Sequence, residues 1–102
     1  MKKNIIIITL DAVRPDKLHL LKKFNYFMRT GSLFTNSITA TPYTLASMHA
    51  ILSGIYPIQN GVNGYLKVFR FKDDIIKTLT QYLKENGYNT RGDLVNKSLI
   101  PQ

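Results

Sequence analysis

The sequence contains no cysteine and only six acidic residues in a chain of 102. The first absence excludes disulfides and thiolate metal sites, so any metal would be held by oxygen or nitrogen donors. It leaves the redox compartment open. The shortage of acids, set against fourteen Lys and Arg, gives a formal net charge of +8. The imbalance lies early in the chain, because Asp11 and Asp16 are the only acids before Asp73. Such a balance favours anionic partners (phosphate or sulfate esters, nucleic acid or a membrane surface), or it serves solubility alone. Long apolar runs are missing as well. Lys2 and Lys3 followed by Ile5 to Leu10 have the outline of a secretion signal, but the run is short and meets Asp11 without a small-residue cleavage site. No stretch approaches the ~18 apolar residues of a spanning helix. A cytoplasmic chain with no transmembrane segment is expected.

What is present is ordinary for a folded domain: 44% apolar and 20% charged residues. The length suits one domain with a modest core. Asn4 to Leu10 reads as a strand, because four consecutive isoleucines suit a parallel strand covered on both faces. Asp11 then falls at its carboxyl end, where ligands gather in open α/β sheets. Pro15 and Asp16 open a helix to about Arg29, with Leu20, Leu21, Phe24, Phe27 and Met28 on one face and Lys22 and Lys23 off it. Gly31 ends it, and Ser32 to Thr39 forms a second short strand. A turn around Pro42 leads to a helix from Thr44 to Leu52, stopped by Gly54. Tyr56-Pro57 and Gly61 to Gly64 mark a loop, and Tyr65 to Lys72 a basic, aromatic strand. Asp73 or Asp74 caps a helix carrying Ile75, Ile76, Leu79, Tyr82 and Leu83, which Asn86-Gly87 terminates. A further strand follows from Tyr88. This order of elements predicts an α/β layered fold.

Two segments carry candidate chemistry. In residues 8–18, ITLDAVRPDKL, Asp11 is placed either to ligate a divalent cation through carboxylate oxygen or to cap the following turn. In residues 41–57, TPYTLASMHAILSGIYP, the Thr44 hydroxyl stands at a helix N-terminus. Unpaired N–H groups and the positive end of the dipole there favour an alkoxide and an incoming anion. The alternative is an ordinary N-cap.

Taken together, the segments resemble the start of the sulfatase family of the alkaline phosphatase superfamily. Asp11, Arg14 and Asp16 match its D-x-x-R-x-D pattern, and Gly31, Phe34, Thr35 and Asn36 match G-x-x-F-T-N. Thr44 and Ser47 fall on the nucleophile motif C/S/T-x-P-S-x. Ser53, Gly54, Tyr56 and Pro57 match its T/S-G-x-Y-P ending, which Gly61-Val62 extends. Residues 78–90, TLTQYLKENGYNT, are similar to the helix and L-x-x-x-G-Y-x-T stretch that follow. The departures are Ala12 for a second Asp, Ala46 for the motif Pro, and Met48 for Arg or His, with His49 beside it. The lysine that often follows G-Y-x-T has no counterpart, since Lys97 is poorly spaced.

The resemblance implies the N-terminal part of a three-layer α/β/α sandwich with a mainly parallel sheet, so that residues 1–102 form a single, incomplete domain segment. It implies a hydrolase or transferase of sulfate, phosphate or phosphonate esters, with Thr44 as nucleophile and His49 either a second catalytic candidate or a structural helix residue. Asp11 and Thr44 become metal ligands, and Ser47 and Arg14 anion-binding residues. The cofactor implied is a divalent metal (Zn, Mg, Ca or Mn), fully bound only with ligands from a later segment, so this stretch alone is expected to be inactive. Thr44 further narrows the chemistry. Cys or Ser can be oxidised to formylglycine, whereas the threonine β-carbon carries a methyl group and cannot give that aldehyde. The implied substrate is therefore a phosphate or phosphonate ester. Two other readings stay open: a non-catalytic remnant, and a small basic module for single-stranded nucleic acid built on Tyr65 to Lys72. Nucleic acid is not the expected partner, because no complete RNA-binding motif is present. The sequence does not fix the oligomeric state.

Overall fold

The computed structural model describes residues 3–64 and 70–93. The chain divides into two compact units, Met1–Ser37 and Ile38–Gln102.

In the first unit a 3-10 helix, Pro15–Leu20, precedes helix α1, Lys22–Thr30. The single helix expected from Pro15 to Arg29 is thus broken at Leu21, whose extended backbone (φ −87°, ψ 93°) serves as the N-cap of α1. The 3-10 bonds, Lys17 N–H to Arg14 C=O and Leu21 N–H to Leu18 C=O, both 3.0 Å, wind the chain too tightly to continue as an α-helix. Across the break, the Asn25 side-chain amide donates to the His19 carbonyl at 2.8 Å. Leu18, Phe24 and Met28 are half-buried. The expected face is therefore only partly realised, since Leu20, Leu21 and Phe27 are exposed.

The second unit holds α2 (Thr44–Ser53), α3 (Pro57–Asn60) and α4 (Leu79–Glu85). Helix α2 packs against both α3 and α4. Ala46, Leu52, Val62 and Ile76 form the apolar core, with His49, Asn60 and Thr78 buried among the polar residues. Gly54, at φ +68°, stops α2 where expected. Pro57 opens α3 rather than a loop, a position where its missing N–H costs nothing. Gly61 has φ +89° and lies so close to the Arg70 carbonyl that a Cβ would collide with it. The Lys72 N–H donates to the Asn60 carbonyl at 3.1 Å, joining residues 70–76 to the end of α3.

Helix α4 starts later than expected. Asp73 and Asp74 lie in a turn, and Thr78 caps the helix in a reciprocal box with Gln81. The far end closes as a Schellman motif: Tyr88 N–H to Leu83 C=O and Gly87 N–H to Lys84 C=O, both 3.0 Å, with Gly87 at φ +75°.

The expected sheet is absent among the described residues, which form helices, turns and unpaired chain. Asn4 to Leu10, Ser32 to Thr39 and Tyr88 to Asp93 enter no ladder, and Ile6 and Ile8 are 83% and 78% exposed. A β-branched run prefers extended backbone, but strand bonds need a second segment beside it. Residues 65–69 of the predicted basic strand lie outside the described residues.

Candidate functional site: the N-terminus of helix α2

Thr44 is the first residue of α2, and Tyr43 is the N-cap, with no capping bond from its side chain. The alternative of Thr44 as an ordinary cap is therefore not what the backbone shows. The helical ladder begins with Ser47 N–H to Tyr43 C=O at 2.9 Å. The N–H groups of Thr44, Leu45 and Ala46 lie ahead of it, at the positive end of the dipole.

Helical spacing of about 100° per residue separates two faces of α2. Ala46, His49 and Leu52 are buried on one face. Ser47 lies about 60° and Met48 about 40° from Thr44 on the other, whereas His49 lies about 140° away. His49 is 3% exposed, and its ring meets Phe71 at 5.4 Å between centroids. Its Nδ1 lies 2.8 Å from the Leu45 carbonyl, an acceptor only, so Nδ1 carries the proton.

Ser47 holds the approach to the helix. Its Oγ lies 2.6 Å from Thr39 Oγ1, and Thr39 Oγ1 donates to the Thr41 carbonyl at 3.0 Å. Ser47 Oγ also reaches the Thr41 carbonyl, at 3.4 Å, so both hydroxyls converge on that oxygen. This clamp fixes residues 39–41 just before Thr44. The sequence signals it only as a threonine-rich stretch around Pro42, so Thr39 and Thr41 were not singled out. The sequence marks Phe71 only as an aromatic of the basic run 65–72, because its contact with His49 joins residues far apart in sequence.

The remaining candidates lie in the first unit. Asp11 is exposed in a turn with Ala12, whose φ is +56°. Arg14 forms a two-pronged pair with Asp16, Nε to Oδ1 at 3.0 Å and Nη2 to Oδ2 at 2.9 Å. Among the described residues no group of three or more His, Cys, Asp or Glu is arranged to hold a metal ion. No described helix is long and apolar enough to cross a membrane.

A family model described as Sulfatase matches residues 3–96. The chain belongs to the sulfatase family. No curated protein and no solved structure matches it. Membership in the sulfatase family places the chain among sulfatase-like hydrolases that act on ester substrates and implies an alkaline-phosphatase-like α/β fold. Sulfatases generally bind a divalent metal. The described side chains do not make a complete site for one, although Asp11 offers oxygen donors of the right kind.

Proposed function

We propose that the chain contributes the nucleophile to a metal-dependent hydrolase or transferase of phosphate or phosphonate esters, with Thr44 as that nucleophile. The observation that supports this most directly is the position of Thr44 as the first residue of a ten-residue helix, ahead of the hydrogen-bonded ladder. The N–H groups and dipole there favour both the alkoxide and the anionic ester. In this reading Thr44 Oγ attacks phosphorus in line. The Oγ–P bond forms, the P–O bond to the leaving alcohol breaks, and the threonine proton leaves to solvent or to the departing oxygen. Water or an acceptor alcohol then takes the phosphoryl group from Thr44.

Ser47 acts as a positioning residue through Thr39 and Thr41, and His49 packs α2 onto its unit. Asp11 is the residue we assign to the divalent metal of the family, which would supply positive charge to the reacting oxygens. Arg14 is assigned to the anionic end of the substrate, its pair with Asp16 being exposed and exchangeable.

The test is to react the protein, joined to the later segment proposed to supply the remaining metal ligands and loaded with divalent metal, with an activated aryl phosphate, quench in denaturant, and map the modified peptide. Phosphate on Thr44, retained in Thr44→Ser and absent in Thr44→Ala, is the expected result. Phosphate on another residue, or on none, rejects the reading.

A further inference from the structure

One face of α1 carries cations that its own unit does not neutralise. Lys22, Tyr26 and Arg29 follow one another at helical spacing and share an arc of about 60°. With Asn25 and Thr30 they line an open groove along the helix. Phe24 and Met28, half-buried, lie on the other side, so the groove is the polar face of an amphipathic helix. Asp16 pairs with Arg14 and lies 3.8 Å from Lys17, whereas no described acid pairs with Lys22, Lys23 or Arg29. The Asn25 amide donates to the His19 carbonyl and the Thr30 hydroxyl to the Tyr26 carbonyl, both at 2.8 Å. Lys22 and Arg29 are exposed, and the ring of Tyr26, which meets Phe27 edge-on at 5.9 Å between centroids, is still 66% exposed.

We propose that this face binds single-stranded nucleic acid. Lys22 and Arg29, separated by about 10 Å of helix rise, take phosphates on either side of a base stacked on Tyr26. Arg29 presents a planar fork to phosphate oxygens, and Lys22 a point charge. An aromatic ring between two cations favours a base-bearing polyanion over a membrane surface, because helices that lie on lipid keep aromatic and basic residues on opposite faces. The inference is independent of Thr44 and of the basic run at residues 65–72.

The test is fluorescence anisotropy with a labelled thymidine oligonucleotide across a salt series. Each phosphate contact to a single strand contributes about −0.7 to the slope of log affinity against log salt. Lys22→Ala and Arg29→Ala should each flatten the slope by that amount, while Lys84→Ala on α4 leaves it unchanged. Tyr26→Ala should weaken binding roughly 5- to 150-fold without altering the slope, and Tyr26→Phe should retain it. Circular dichroism checks that each variant keeps its helix. The proposal is overturned by absence of saturable binding at low salt, by slopes indifferent to Lys22 and Arg29, or by full affinity in Tyr26→Ala. Capture by anionic phospholipid vesicles without oligonucleotide binding would assign the face to a membrane and overturn it as well.

Discussion

Asn60 is fully buried, and its side chain spans the end of α3: Oδ1 accepts from Val62 N–H at 2.9 Å, and Nδ2 donates to the Ile55 carbonyl at 3.1 Å. Asn60→Ala removes both bonds, at a net cost of about 1 kcal/mol each. Val62 is itself fully buried, so its N–H would be left without a partner, adding about 1–3 kcal/mol. The Ile55 carbonyl is less costly to abandon, because Ile55 is half-buried. The expected loss is about 3 kcal/mol, a large part of the ~5–15 kcal/mol that holds a domain folded. Asn60→Asp separates the two contributions. It keeps the acceptor for Val62 but loses the donor to Ile55 and buries a charge. The folded-state pKa of the new carboxyl is then raised above its unfolded value of about 3.9. The cost is accordingly small below about pH 4, where the neutral acid can donate to Ile55, and grows as pH rises through the folded pKa. Urea titrations followed by far-UV circular dichroism at neutral and acid pH measure both variants. A loss below about 0.5 kcal/mol for Asn60→Ala, or wild-type stability for Asn60→Asp at neutral pH, refutes this account of the turn.

Other positions give independent checks by the same titrations. Gly61→Ala should cost about 2–3 kcal/mol, because φ is +89° and the Cβ would meet the Arg70 carbonyl; a neutral result would refute the close approach of Gly61 to Arg70. Thr78→Ala should cost about 1 kcal/mol and fray α4 from its first turn, read by amide exchange at Gln81. Lys77→Ala, which breaks the exposed 2.8 Å pair with Glu85, should change stability by less than about 1 kcal/mol, and the difference should vanish in high salt. Ser47→Ala should cost about 1 kcal/mol and slow phosphorylation of Thr44, with Ser47→Thr restoring part of the rate if the hydroxyl bond to Thr39 is what matters.

What was legible in the sequence was local. Gly54 stops α2, Asn86-Gly87 closes α4, and Thr44 stands at a helix start, because each depends on a few adjacent residues. The start of α4 was also written locally, in Thr78 and Gln81, but the acids at 73 and 74 offered a competing cap. Asn60 was hidden, since a polar residue beside glycine reads as a loop until Val62 and Ile55 are seen to use both ends of its amide. The inward side of His49 was hidden for a related reason: its burial with Ala46 and Leu52, and its contact with Phe71, depend on residues distant in sequence.

The strands and the metal site required something else. Four consecutive isoleucines express a preference for extended backbone, yet a ladder and a cation site are both made by segments distant in sequence. The α2 N-terminus needs no such meeting, because its dipole and its N–H groups belong to one helix and the Ser47 clamp reaches back only to Thr39. The environment of Thr44 is therefore held within the second unit, whereas Asp11, the residue proposed for the metal, lies in the first. Loss of Asp11 should accordingly lower the rate of phosphoryl transfer while leaving the helix under Thr44 intact, and loss of the α2 packing should remove both.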